Sequence, residues 1–174
     1  MKLTEAIQFI KNGISRNSTN ENWADLGCGT GLFTRALASL LGGESNIFAV
    51  DKDAQRIRKD EGELAAIEFI KLDFIQDPFP FSNLDGILMA NSLHYVKDKG
   101  TFIEKLKANM KPDGRVIIIE YDTEKANAWI PYPIDLKQLS STFASHGFGK
   151  VRKIGERESV YRADKMYSCV VERE

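Results

Sequence analysis

Trp23-Ala24-Asp25-Leu26-Gly27-Cys28-Gly29-Thr30-Gly31 is a short apolar run that meets three glycines at alternate positions. Beyond it Phe33, Ala36, Leu37, Leu40 and Leu41 recur at helical spacing until Gly42-Gly43, so the passage predicts a strand, a glycine turn and a helix. Glycines in such a turn permit unusual backbone angles and let the main chain approach a ligand closely, while the helix start offers unpaired N–H groups. A nucleotide-like cofactor suits that geometry. The dinucleotide fingerprint G-x-G-x-x-G, aligned from Gly27 and Gly29, puts Leu32 where a glycine or alanine is needed for close packing. Asp25 also sets a negative charge beside the turn, which disfavours a pyrophosphate and favours a cationic or zwitterionic guest.

Outward from this stretch the same alternation continues. Leu3, Ile7, Ile10 and Ile14 predict an amphipathic N-terminal helix over about residues 1–16, ending in the polar stretch Asn17 to Asn20. Ile47 to Val50 predicts a second strand ending at Asp51, followed by a charged helix from Asp53 to about Glu61. Ile67 to Leu72 reads as a third strand, the Pro78/Pro80 segment as loop, and Asp85 to Ala90 as a buried fourth strand. Phe102, Ile103, Leu106 and Met110 mark one helical face; Lys111-Pro112-Asp113-Gly114 then predicts a turn in which glycine accepts a positive φ, leading into a strand from Arg115 to Tyr121. Leu136, Leu139 and Phe143 mark a last helix, with His146 as a helix-end residue before Gly147. Two strands, near Gly149 to Ile154 and Lys165 to Val171, close the chain. Five strand–helix alternations before a terminal strand pair predict an α/β fold. Its architecture is a single open, doubly wound, mostly parallel sheet with helices on both faces and a C-terminal antiparallel strand pair.

With these motifs in place, the chain resembles the class I (Rossmann-like) S-adenosylmethionine-dependent methyltransferases over nearly its whole length. Trp23 to Gly31 is similar to that family's first motif without departure. The resemblance implies S-adenosylmethionine as cofactor and S-adenosylhomocysteine as product, with cofactor contacts from Asp25, Gly27, Cys28, Gly29 and Gly31. Asp51, 20 residues after Gly31, and the adjacent Lys52 match the place where the family sets an acid on the ribose hydroxyls. The chemistry is sound on its own terms, because a vicinal diol offers two donors and a carboxylate accepts both. Asp73 and Phe74 match the segment that reads the adenine. Asn91-Ser92-Leu93-His94-Tyr95-Val96 resembles the loop that faces the methyl group, and Lys111 to Arg115 completes the likeness.

Departures from the family narrow the acceptor. Members that methylate amino groups of adenine or glutamine carry Asn/Asp-Pro-Pro-Tyr/Phe after the fourth strand, whereas Ser92 and Leu93 follow Asn91 here. The chain has 24 Lys+Arg against 25 Asp+Glu, a formal net charge of −1 that gives no field to attract nucleic acid. No apolar run approaches the roughly 20 residues of a membrane span, and the polar Glu5, Gln8 and Lys11 interrupt what would be a signal peptide. Cys28 and Cys169 form neither a disulfide framework nor a CxxC metal pair, so no metal is predicted and a cytoplasmic setting is. Cys28 reads as a small loop residue. His94 is the candidate general base, against a packed loop histidine. Tyr95, Glu120, Tyr121, Trp129 and Tyr132 all emerge at the carboxyl edge of the predicted sheet and are the candidate acceptor residues. The stretch Trp129-Ile130-Pro131-Tyr132-Pro133 reads either as a substrate wall or as a loop that covers the core. The expected function is methyl transfer to a small molecule by one domain spanning 1–174, with no inserted substrate domain. The alternatives are a cofactor-binding subunit without catalysis and a nicotinamide-dependent oxidoreductase. No motif specifies the acceptor atom or an oligomeric state.

Overall fold

A computed structural model describes residues 1–15, 20–58, 61–158 and 165–173. Seven strands form one sheet in the order β3-β2-β1-β4-β5-β7-β6. The strands are β1 (Asn22–Leu26), β2 (Asn46–Asp51), β3 (Ala66–Lys71), β4 (Leu84–Ala90), β5 (Met110–Tyr121), β6 (Arg152–Glu158) and β7 (Lys165–Glu172). The first five pair in parallel, and β7 inserts antiparallel between β5 and β6. Strand order reverses at β1, with β2 on one side and β4 on the other. That is the topological switch where a crevice opens beyond the strands' carboxyl ends.

Alternation along β5 shows how the sequence builds two layers. Val116 and Ile118 face a core shared with Phe102, Ile103 and Leu106 of α3 (Lys99–Asn109) and Leu139 and Phe143 of α4 (Leu136–Ser145). Ile117 and Ile119 face the opposite core, with Ala6, Phe9 and Ile10 of α1 (Leu3–Ile10) and Phe33, Ala36 and Leu37 of α2 (Leu32–Ala38). Helices therefore cover both faces, as the near-continuous apolar strands require. Each fully buried aliphatic side chain contributes roughly 1.5–3 kcal/mol. Close fits add specificity. A Cβ on Gly86 of β4 would lie 2.4 Å from the ring of Trp23, which is fully buried on the neighbouring β1.

Several local expectations are corrected. The charged helix from Asp53 to Glu61 does not form over residues 53–58, which are irregular; 59 and 60 lie outside the described residues. The segment has too few apolar side chains to bury a helical face, and the Asp51 carboxylate accepts the Asp53 N–H in a local turn instead. Ile57 turns inward, and a Cβ on Gly31 would meet its side chain at 2.7 Å. The N-terminal α-helix stops at Ile10 and passes through a 3-10 turn, Lys11–Gly13. Gly13 approaches Ile117 so closely that a Cβ would stand 2.8 Å from its Cδ1. Ile14 follows in extended backbone; most of the polar stretch after it, 16–19, lies outside the described residues. Met110 belongs to β5 rather than to the preceding helix, and Lys111 to Gly114 bulge out between the Leu84–Met110 and Gly86–Arg115 pairings. Gly114 does not use a positive φ. Its lack of a side chain is needed for space, because a Cβ would sit 3.0 Å from the Lys111 carbonyl oxygen. The strand expected from Gly149 begins at Arg152 and continues to Glu158.

Candidate functional site

Three glycines shape the turn after β1. Gly27, Gly29 and Gly31 have φ of 82°, 50° and 86°, angles that side chains rarely tolerate. At Gly27 a Cβ would also strike Ser92 Cβ at 2.6 Å, whereas at Gly29 the space is open. The turn is pinned from β2: Asp51 Oδ2 accepts the Gly29 N–H at 2.9 Å, and the Val50 carbonyl accepts those of Gly27 and Cys28.

This turn walls a cavity of about 720 Å³ at the switch point, lined by residues that include Asp25, Gly27, Cys28, Gly29, Asp51, Lys52, Asp73, Phe74 and Asn91. Nine of the ten sequence-predicted cofactor residues thus converge; Gly31 lies just behind the wall, where it starts α2. Thr30 of the glycine motif and Ser92 and Tyr95 of the loop after β4 also line it, and Leu32, Phe33, Asp53, Ile75 and Ala90, which carried no sequence signal for the cavity, complete the lining. Asp25 is 1% exposed. Its Oδ2 accepts the Thr34 hydroxyl at 2.6 Å, while Oδ1 is buried without a partner. Burial, above all, pushes its carboxyl up to about 7, with the Thr34 bond opposing and the Asp51 charge adding to the rise. Burial, reinforced by the charges of Asp25 and Asp51, also holds the Cys28 thiol far above its usual range, so this cysteine is not a thiolate nucleophile. Asp73 Oδ1 accepts the N–H groups of Ile75 and Gln76, capping its own turn. Phe74 tilts against Phe102 with ring centroids 5.8 Å apart.

A second cavity, about 510 Å³, is lined by Asn91, His94, Tyr95, Tyr121, Asn127, Trp129 and Ile130. Asn91 and Tyr95 line both cavities. Asn91 has φ 54° and a side-chain Oδ1 that is buried without a hydrogen bond. Trp129 is 81% exposed at this cavity, on a turn closed by Asn127, whose Oδ1 accepts the N–H groups of Trp129 and Ile130. Ile130, by contrast, is buried and anchors the loop. Asn127 and Ile130 carried no sequence signal beyond their nearness to the aromatic cluster. Two expected acceptor residues fall outside the lining. Glu120 is buried behind His94, and Tyr132 is half-exposed, its N–H donated to the His94 carbonyl at 3.0 Å.

Comparison with known proteins fixes the family. The sequence model described as a methyltransferase domain matches residues 17–163. The chain belongs to the methyltransferase family. It is of the class I, S-adenosylmethionine-dependent type, and its sheet order and terminal antiparallel pair are that fold. Membership also disposes of the nicotinamide alternative. The methyltransferase is 25% identical over 143 residues to the ubiquinone/menaquinone biosynthesis C-methyltransferase UbiE of Pectobacterium carotovorum, covering 79% of this chain and 53% of that protein. The UbiE of Pseudomonas aeruginosa is 25% identical over 142 residues, covering 76% of this chain and 56% of its own. The methyltransferase therefore spans about half the length of the curated relatives it matches. Among solved structures, Burkholderia thailandensis 1,6-didemethyltoxoflavin-N1-methyltransferase, with bound 1,6-didemethyltoxoflavin and S-adenosylhomocysteine, superposes with a TM-score of 0.68 at 17% identity. That match covers 98% of this chain and 77% of that one. The YcgJ protein of Bacillus subtilis superposes with a TM-score of 0.70 at 11% identity, covering 98% and 99%.

Proposed function

We propose that this methyltransferase, acting as one domain over 1–174, transfers the methyl group of S-adenosylmethionine to a small molecule across the junction between its two cavities. The observation that carries the reading is that Asn91 and Tyr95 line both cavities, so a donor in one and an acceptor in the other meet at these residues. The donor cavity fits its guest chemically. Asp25 Oδ1 and Asn91 Oδ1 are buried acceptors with no partner, and such atoms are costly unless a ligand donor reaches them. Asp25, once ionised, pairs with a cationic group; Asp51 and Lys52 hold the ribose; Asp73 and Phe74 read the adenine. Gly27, Gly29, Gly31 and Cys28 supply the close backbone surface. When bound, the sulfonium supplies an already electrophilic methyl. The chain's work is then alignment and exclusion of water.

On the acceptor side Tyr95, Tyr121 and Trp129 form an aromatic wall, with Tyr132 and Glu120 behind it and His94 facing the space. The B. thailandensis enzyme's printed substrate and the UbiE relatives support a small acceptor, and the net charge of −1 supports no nucleic acid. No helix among the described residues is long and apolar enough to cross a membrane. Cys28 and Cys169 are both unpaired and buried, which supports a reducing, cytoplasmic setting.

Calorimetric titration with S-adenosylhomocysteine tests the donor site. Binding is expected for the wild type, and Asp51→Ala should weaken it by roughly 1.5–3 kcal/mol, the value of hydrogen bonds to a charged group. A folded Asp51→Ala protein with unaltered affinity would remove Asp51 from the site, and a wild type that does not bind would sink the reading.

A further inference from the structure

The turn after β4 and the end of β5 bring a histidine and a carboxylate into contact in the wall of the second cavity. His94 is 3% exposed and Glu120 1%. Glu120 Oε2 lies 2.8 Å from His94 Nδ1, and Oε1 accepts the backbone N–H of the same residue at 3.1 Å. Both oxygens are thus committed to His94, and Glu120 reaches neither cavity. Tyr95 packs against the ring, with centroids 4.4 Å apart. A carboxylate on Nδ1 keeps the proton there, so Nε2 carries the lone pair and is the ring nitrogen left for the cavity that His94 lines. The same carboxylate stabilises the imidazolium when Nε2 takes up a proton.

Three further groups face the pair. Lys99 of α3 approaches Glu120 electrostatically while its Nζ donates to the Val96 and Tyr132 carbonyls. On β7, burial pushes the Tyr167 hydroxyl well above its usual range and the Cys169 thiol up to about 12, so both stay neutral beside Glu120. The cavity itself offers aromatic faces and no Lys, Arg, Asp or Glu among its described lining residues. An anionic or cationic acceptor would find no counter-charge there. An amine would attack with its own lone pair and need no base beforehand, whereas an aromatic hydroxyl is a poor nucleophile until its proton is removed.

We propose that the acceptor is a neutral, planar compound bearing an aromatic hydroxyl, that His94 Nε2 removes the hydroxyl proton, and that Glu120 is the positioning residue for His94. The inference rests on the methyltransferase reading above. In the step, the oxygen forms the new bond to the methyl carbon, and the carbon–sulfur bond breaks with its electron pair remaining on sulfur, which becomes neutral. The hydroxyl proton passes to Nε2, giving an imidazolium opposite Glu120, and leaves later to water.

Para-nitrophenol, whose phenolate absorbs in the visible, serves as the probe, added to the full chain saturated with S-adenosylhomocysteine. Its binding is read separately from quenching of Trp129, since the second tryptophan, Trp23, is fully buried. In the wild type, the bound probe should ionise roughly one to three pH units below the free probe. His94→Gln should bind it without that displacement. Glu120→Gln, which keeps an acceptor oxygen but removes the negative charge that stabilises the imidazolium, should lose most of it. Bound probe that titrates like free probe, or a His94→Gln protein that keeps the displacement, overturns the base assignment; failure of the probe to bind overturns the acceptor class. Full displacement in Glu120→Gln overturns the positioning role. Failure of S-adenosylhomocysteine to bind is a separate result and brings down the methyltransferase reading instead.

Discussion

Asp25 is fully buried with one oxygen unpartnered, and ionising it inside the fold costs free energy unless a cation or hydrogen-bond donor reaches that oxygen. Its carboxyl is raised from 3.8 to about 7, so the folded chain holds this proton more tightly than the unfolded chain does. The associated stability is present in full below pH 3.8 and is lost as pH rises to about 7, a difference on the order of a few kcal/mol. Asp25→Asn keeps an acceptor for Thr34 without the charge. The melting temperature of the variant relative to wild type, measured without cofactor, should therefore climb between about pH 4 and about pH 7, while its S-adenosylhomocysteine affinity falls. A difference that does not change with pH would show that Asp25 is ionised at no cost. The sequence revealed the acid and its place beside the glycines. It did not reveal that the acid would be sealed from water, because burial is supplied by α2 and β4 folding over it.

At the scale of elements, the loop between β5 and α4 joins the two halves of the acceptor wall. The Tyr132 N–H is donated to the His94 carbonyl, and Lys99 holds the Tyr132 carbonyl at 2.8 Å, so the loop is strapped to the segment after β4. Trp129 projects from this strapped turn and is 81% exposed, which makes its removal nearly neutral for stability. Trp129→Ala should leave S-adenosylhomocysteine affinity within about twofold while turnover drops roughly ten- to a hundredfold through lost alignment. Loss of cofactor binding, measured by calorimetry on the folded variant, would make the loop structural. The aromatic and proline cluster was legible as a unit, but not that Ile130 would be buried and Trp129 exposed. The missing helix after β2 is the opposite case. Charged residues at helical spacing suggested an element, but without an apolar face nothing holds a short helix against the sheet.

For the whole molecule, the donor cavity is assembled from loops after β1, β2, β3 and β4, so a ligand there binds the folded state alone. S-adenosylhomocysteine at about a hundred times its dissociation constant should add about 2.7 kcal/mol, which raises the melting temperature of a chain this size by roughly 5–10 °C. No rise at saturation would contradict a preformed site.

The order of elements apart from the helix expected after β2, the two-faced strands and the glycine turn with its acids were legible in the linear chain, because apolar periodicity and backbone permissiveness are local properties of neighbouring residues. So were nine of the residues that line the donor cavity. The pairing of Glu120 with His94, 26 positions apart, was not. Neither was the joining of two cavities at Asn91 and Tyr95. Both depend on β4 and β5 lying side by side in register, with Ala90 opposite Ile119, and on a loop folding back across their ends. Such contacts are set by where distant segments meet in the sheet, and each residue's own neighbours in the chain carry no trace of them.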